Sequence, residues 1–380
     1  MAGSGPPFLL RHLVEPRHPR QIAGMIITRR TLLAAAASTA LPGPARAARS
    51  FTDSAGRNIE LPDRIQKVFG AGGPAAVAIY CLRPDALAGW PRPPYPEERP
   101  YLTPHTRDLP EVGLITGRGD TLNLENLLRA APDLIVDFGS VQQTYVSLAH
   151  RVQERSRIPY ALIDGRFDST PRALRMLGEL LDAVPRGEEL ATYAEMLFAK
   201  LHMLLAKKPE AQRPSVYLAR GPNGLETGLQ GSINTEIIER AGGRNVAIAN
   251  DGRRGIANIS PEQLLLWDPD IVITWDRLFF DNLRQKKDPL WQSMRAVREG
   301  RVYLAPTAPF GWIDRPPSLN RLIGLAWLAH LLHGPDFPFD MAEEARRFYR
   351  LFYQVEMSDA ELANLLAWAD GRPPALIRPR

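Results

Sequence analysis

The side chains best suited to chemistry in this chain are rings and arginines, and they gather in the segments that follow short apolar runs. Trp90, Tyr95, Tyr101, His105, Phe138, Tyr145, Arg166 and Phe167 stand in the first half, and Arg220, Trp275, Arg277, Phe310, Trp312 and Arg315 in the second. Aromatic faces supply contact area and a guanidinium supplies two parallel charge-assisted hydrogen bonds. Together they suit the capture of a bulky, partly apolar, negatively charged molecule. Arg220 leads the expected anion contacts, with Arg315 and His105 as helpers. Trp275, Trp312, Phe310 and Tyr95 are the expected walls, and Phe138 joins them. Glu226, beside Gly224-Leu225, is either a ligand contact or a loop acid.

Bond-making chemistry finds no comparable grouping. Gly-x-Ser-x-Gly is absent, Cys81 lies in an apolar stretch, and the glycines at 70, 72 and 73 lack the Lys-Ser/Thr that completes a phosphate loop. His330 and His333 are three apart, yet Gly334-Pro335-Asp336 reads as a helix stop and no further ligands gather there. A direct zinc or manganese receptor needs about three histidines and a carboxylate converging; His105, His150, His202, His330 and His333 are scattered. The residues point to binding without catalysis, with no metal site and no resident cofactor.

Composition bounds the classes left. The chain has 380 residues, of which 44% are hydrophobic and 23% charged, an ordinary globular balance that excludes disorder, collagen and coiled coil. A single cysteine excludes a disulfide framework. The net charge of +5 has an uneven address: residues 1–47 hold six basic residues and one acid, and the remaining 333 balance at 41 basic and 41 acidic. No nucleic-acid partner is therefore expected. Within that basic segment, Thr28-Arg29-Arg30-Thr31 precedes an apolar run from Leu32 to Leu41, then Pro42-Gly43-Pro44 and Ala45-Arg46-Ala47. This reads as a twin-arginine export signal cleaved near Ala47, with Met25 a plausible start. Its apolar run is too short to span a bilayer, so no membrane insertion of the mature chain is expected.

The elements that must position the rings and arginines are written twice. Leu124-Glu125-Asn126-Leu127-Leu128 followed by Pro132-Asp133-Leu134-Ile135-Val136 reappears 137 residues later as Pro261-Glu262-Gln263-Leu264-Leu265 followed by Pro269-Asp270-Ile271-Val272-Ile273. Each copy is a short helix cut off by Pro-Asp and followed by a continuous apolar strand, the pattern of a parallel sheet covered on both faces. Lys67-Val68-Phe69 matches Ser215-Val216-Tyr217, and Ile158–Ile163 matches Arg301–Leu304. Phe138 and Trp275 occupy the same place in the two copies. The fold class is thus α/β, two Rossmann-like lobes with the ligand cleft between them, outside the carboxyl ends of the strands.

Between the copies, Ser169 or Thr170 caps a helix from about Pro171 to Asp182, Pro185-Arg186-Gly187 breaks it, and Glu188–Lys207 carries a helical apolar stripe about 30 Å long. One long helix makes a stiff connector and predicts small rearrangement on binding. Ser318 is expected to cap a further helix running to about His333, and Met341–Tyr353 plus Asp359–Ala369 a helical cap.

Phe51-Thr52-Asp53-Ser54-Ala55-Gly56-Arg57 with Leu61-Pro62-Asp63-Arg64-Ile65 resembles the opening of the periplasmic binding proteins that serve ABC importers of ferric siderophores, haem and cobalamin. Asn123-Leu124-Glu125 with Pro132-Asp133, and Gly231-Ser232-Ile233 with Ala241-Gly242-Gly243-Arg244-Asn245-Val246, are similar to that family's recurring motifs, and the likeness covers about residues 50–335. Trp312-Ile313-Asp314-Arg315-Pro316-Pro317 is similar to a branch that includes metal-complex and molybdate-type oxyanion binders. The resemblance implies a monomeric periplasmic receptor that captures a metal chelate and delivers it to an ABC permease and its ATPase. Members dock through an acid at the tip of each lobe. Glu236 matches in lobe two, whereas lobe one reads Pro74-Ala75-Ala76-Val77 at the corresponding place.

The organisation expected is a signal at 1–47, an N-terminal lobe at 48–168, connecting helices at 169–212, a C-terminal lobe at 213–335 and a helical cap and tail at 336–380. Three alternatives stand beside the chelate receptor: an oxyanion receptor of molybdate or tungstate type, a direct zinc or manganese receptor, and an exported enzyme bearing a cofactor.

Overall fold

The computed structural model describes residues 49–117, 124–249 and 251–366. The export signal, Asn123 of the family-type motif and the tail after 366 lie outside the described residues.

A hairpin of β1 (Arg49–Thr52) and β2 (Asn58–Leu61) opens the described chain. The N-terminal lobe follows as β3 (Val68–Gly70), α1 (Gly73–Leu82), α2 (Leu124–Ala130), β4 (Leu134–Gly139), α3 (Gln143–Ser156) and β5 (Tyr160–Asp164). Its sheet is parallel in the order β3-β4-β5. Gly70 ends β3 because the backbone there crosses directly over α1: a Cβ would lie 2.6 Å from the Ala76 nitrogen. The connector is α4 (Thr170–Leu180) and α5 (Val184–Leu205). Pro185 was expected to interrupt this stretch and instead sits in the first turn of α5, where a missing N–H costs nothing.

The C-terminal lobe contains β6 (Ser215–Ala219), β7 (Glu226–Gly228), α6 (Glu236–Arg240), β8 (Arg244–Asn245), β9 (Ile256–Asn258), α7 (Pro261–Trp267), β10 (Ile271–Thr274), α8 (Arg277–Arg284), α9 (Pro289–Ser293), α10 (Arg295–Arg298) and β11 (Val302–Leu304). Its parallel sheet runs β11-β10-β6-β8, and β7 pairs antiparallel with β9. The repeat extends to the register. Val68 faces Leu134 as Val216 faces Ile271, and Tyr160 faces Ile135 as Val302 faces Val272. The repeated Pro-Asp has one job in both copies. Asp133 accepts from the Lys67 amide and Asp270 from the Ser215 amide, each at 2.8 Å, pinning the start of the neighbouring strand.

The chain then returns through α11 (Arg321–His333), α12 (Met341–Phe348), a π-helical turn at Tyr349–Tyr353 and α13 (Asp359–Leu366). These elements pack on the N-terminal lobe and the connector: Tyr80 donates to the Tyr353 carbonyl at 2.7 Å, Tyr101 to that of Glu361 at 3.1 Å, and Tyr193 of α5 to the Glu344 carboxylate. Ser318 does not cap α11. Its hydroxyl donates across the cleft to the Pro74 carbonyl at 2.6 Å, and Asn320 occupies the cap. Arg321, only 2% exposed, ties the lobes together. It donates to the Gly165 carbonyl (2.7 Å) on one side and to the Ile233 carbonyl (2.6 Å) and Glu236 (2.8 Å) on the other, while lying 4.4 Å from the Phe167 ring centroid.

Candidate functional site

A cleft of about 1070 Å³ opens at the carboxyl ends of both sheets. The N-terminal wall is built from Gly73 and Pro74 at the start of α1, from Trp90 and Thr116, and from Asp137–Ser140 and Tyr145 where β4 passes into α3. The C-terminal wall is built from Arg220 directly after β6, Trp275 and Asp276 after β10, and Phe310 with Asp314–Pro317 after β11. Trp90 and Phe310 meet at 5.6 Å between ring centroids, and each touches Tyr80, so the apolar floor is anchored in the core.

Charge on the C-terminal wall is arranged around Trp275. The guanidinium carbons of Arg220 and Arg315 lie 5.7 and 5.2 Å from its ring centroid, within range of the attraction between a cation and a ring face. Arg220 is buried and faces two acids, Asp314 at 2.8 Å and Glu226 at 3.1 Å. These are ionic approaches whose N–H directions miss hydrogen-bond geometry, so Nε and Nη1 keep donor capacity. Burial pushes Asp314 up to about 6 against the opposing pull of Arg220, Asn234 and Arg321. Asp276 is occupied as the cap of α8, accepting from the Phe279 amide at 3.1 Å. Arg92 is held by a bidentate pair to Glu98 at 2.6 and 2.8 Å. Arg315 is different: it is exposed and makes no ion pair with another described residue. The Trp275 indole N–H likewise lacks an acceptor among the described residues.

The N-terminal wall presents an acid to the cleft, Asp137. Asp137 is 6% exposed and receives hydrogen bonds from Tyr160 at 3.2 Å and Thr116 at 3.3 Å. Burial pushes it up to about 6, while those two bonds pull the other way. Burial and the neighbouring Asp137 raise Tyr160 well above its ordinary value, which keeps its hydroxyl a donor.

Arg220, Trp275, Phe310, Phe138, Arg315 and Glu226 all line the cleft. Four other expectations are corrected. Trp312 is fully buried, its indole N–H donating to the Tyr349 hydroxyl at 3.2 Å, because its backbone packs on Gly324 of α11, where a Cβ would fall 1.6 Å from the Trp312 oxygen. Tyr95 is exposed and outside the cleft lining, its ring 4.0 Å from the Arg92 guanidinium. His105 is exposed in a short 3-10 turn away from the cleft lining. Glu236 is turned inward, its Oε1 accepting from Arg321 at 2.8 Å and from the Phe167 amide at 3.0 Å, which makes it part of the staple rather than an exposed tip acid.

Asp137, Asp314, Asn234 and Arg92 were missed. Asp137 had a signal: an acid inside the run Leu134-Ile135-Val136-Asp137-Phe138, where the matching copy has Thr274. Among the described residues no three His, Cys, Asp or Glu side chains converge as a metal would require, and no described helix is long and apolar enough to cross a membrane.

Two α/β lobes with a lined cleft at their strand ends define a bilobal solute-binding protein. A family model described as periplasmic binding protein matches residues 98–309, and the chain belongs to that family, the binding proteins of ABC transporters. Among solved structures, an ABC transporter solute binding protein from Sulfurospirillum deleyianum is 29% identical with a TM-score of 0.75, over 84% of this chain and 99% of that one. The molybdate-binding protein MolA of Haemophilus influenzae is 24% identical, over 86% of this chain and 97% of its own length. Its structure with molybdate bound has a TM-score of 0.66 at 20% identity, covering 82% of this chain and 99% of that one. A periplasmic heme binding protein from Pseudomonas aeruginosa has a TM-score of 0.56 at 21% identity, covering 73% and 96%. These relatives are transport components rather than enzymes.

Proposed function

We propose that the chain is the periplasmic receptor of an ABC importer and captures an anionic metal chelate, of ferric siderophore, haem or cobalamin type, between its lobes. One observation carries this reading: a roomy cleft walled by Trp90, Phe310, Phe138 and Trp275 in which Arg315 has no carboxylate partner among the described residues. A space of about 1070 Å³ is at the upper end of small-molecule sites, and its aromatic lining matches a ligand larger than a bare ion. The receptor is exported, works as a monomer and hands its guest to a permease driven by an ATPase. Native mass spectrometry of protein taken from its own periplasm, with metal analysis of whatever co-purifies, tests the reading. A stoichiometric metal complex is the expected result, and consistent recovery of an empty chain or of a metal-free neutral solute sinks it. The mature N-terminus found in the same measurement should lie near Ala48.

A second reading, a molybdate-type oxyanion receptor, is favoured by the likeness to MolA. Tight stoichiometric binding of molybdate or tungstate, together with failure of ferric chelates to bind, would select it.

A further inference from the structure

The duplicated register allows the two walls of the cleft to be compared position by position. Asp137 and Thr274 are equivalent, each preceding the wall aromatic, Phe138 or Trp275. Thr274 is wholly buried and its hydroxyl accepts from the Asp276 amide at 3.0 Å, which closes a local turn. Asp137 has no local task of that kind. It lines the cleft, receives long side-chain bonds from Thr116 and Tyr160 and a backbone hydrogen bond from Phe138, and pairs with no cation among the described residues. A carboxylate offers about four lone-pair sites, and leaving a buried one short of partners is costly. Gly72 and Arg220 form the complementary pair, in the loops that follow β3 and β6. There the C-terminal wall carries the charge, and Arg315 and the Trp275 N–H add donors to the same side.

Building on the receptor reading above, we propose that the ligand is two-ended: it presents oxygen acceptors to Arg315 and Trp275 on the C-terminal wall and donates an N–H, O–H or metal-bound water to Asp137 on the N-terminal wall. The guest class is therefore a chelate with protic groups at its periphery. A fully deprotonated oxyanion has acceptors alone and leaves Asp137 unmet.

A matched pair of neutral probes tests this. Ferric tris(acetohydroxamate) carries N–H groups, and ferric tris(N-methylacetohydroxamate) has the same charge and coordination with a methyl group in place of each N–H. In calorimetric titrations at pH 8 the wild-type chain should bind the N–H complex about tenfold or more tightly than its methylated partner, the effect of one hydrogen bond to a charged group. Asp137→Thr, which installs the residue of the equivalent position, should abolish the preference between the two complexes. Asp137→Asn keeps an acceptor oxygen in the same shape and should retain part of the preference, which controls for folding. The assignment of Asp137 is overturned, with the receptor reading intact, by equal binding of the two complexes to the wild type. A preference that survives in Asp137→Thr has the same consequence, as does tight molybdate binding indifferent to both substitutions. Failure of both complexes to bind the wild type also overturns this assignment, while the receptor reading stands or falls on the mass-spectrometric test above.

Discussion

Strands β3 and β4 of the N-terminal lobe and β6 and β10 of the C-terminal lobe share one register, and the aspartates that pin their first residues are interchangeable in role. Their carboxyl ends are not interchangeable. One carries Asp137-Phe138 at the end of β4 and a glycine loop after β3, the other Thr274-Trp275 at the end of β10 and Arg220 after β6. The difference teaches where each kind of constraint acts. Amino ends and strand interiors are set by the need to bury two faces of a parallel sheet, which any copy of the unit must meet. Carboxyl ends face the cleft, and there the copies are free to diverge toward one guest.

The largest expected effect comes from separating the walls. Arg321→Met removes the bonds to Gly165, Ile233 and Glu236 at once, leaving two carbonyls short of a donor and Glu236 without its cation, though it keeps the Phe167 amide. A loss of about 3–5 kcal/mol in chemical denaturation is expected, the range for breaking a buried charged network. A loss below about 1 kcal/mol would mean the lobes are held by α11–α13 packing alone.

Next come the two arginines that flank Trp275, which should respond in opposite currencies. Arg220→Ala strands Asp314 in the interior and should cost about 2–4 kcal/mol of stability, with Arg220→Met/Asp314→Asn recovering most of it in a double-mutant cycle. Arg315→Ala should leave the melting temperature nearly unchanged and cost about 1.5–3 kcal/mol of affinity for the co-purified ligand. Equal stability losses at both positions would erase the distinction between a wall-building and a ligand-facing cation.

Much of this frame was legible because its signals are local and repeated. Pro132-Asp133 and Pro269-Asp270 announce both the helix end and the strand start, and the 137-residue offset survives into the hydrogen-bond register. Trp312 was misread because a tryptophan near Arg315 looks the same whether it faces a ligand or a core. Its burial depends on Gly324, and nothing short-range links the two. Glu236 was misread for a similar reason: its partner Arg321 is 85 residues away, and an acid on a short helix reads as exposed until its neighbour is known. The connector's Pro185 was mistaken for a break, since proline ends one helix and begins another with equal ease.

Acidity separates the two ends of the sheets more gently. Burial holds Asp137 and Asp314 at about 6, above the value near 3.9 of an unfolded aspartate. Folded protein therefore takes up their protons first, and their contribution to stability rises as pH falls from about 6 toward 4. Asp270 behaves in the reverse sense. Burial opposes its ionisation, but the Ser215 amide and hydroxyl and Arg295 overcome this and hold it at about 2. Its contribution is complete above about pH 4 and is lost as pH falls toward 2. Melting temperature followed from pH 7 to 2.5 should lose part of the upper limb in Asp137→Asn and part of the lower limb in Asp270→Asn. Identical profiles for the two variants would contradict the assignment of opposite signs.

The smallest effect tests whether the amino ends are as equivalent as their bonds suggest. Asp133→Asn and Asp270→Asn each weaken a carboxylate that accepts from the backbone at the start of the neighbouring strand, at a cost of about 1 kcal/mol apiece. Asp270 also accepts from the Ser215 hydroxyl at 2.7 Å and pairs with Arg295 at 2.7 Å, whereas Asp133 accepts from the backbone amides of Gln66 and Lys67. The excess for Asp270→Asn should be a few tenths of a kcal/mol, because Arg295 is partly exposed and such pairs are screened by solvent. Adding Arg295→Gln to both variants should bring the two costs together. If they stay apart, the lobes differ at their amino ends by something other than this one arginine.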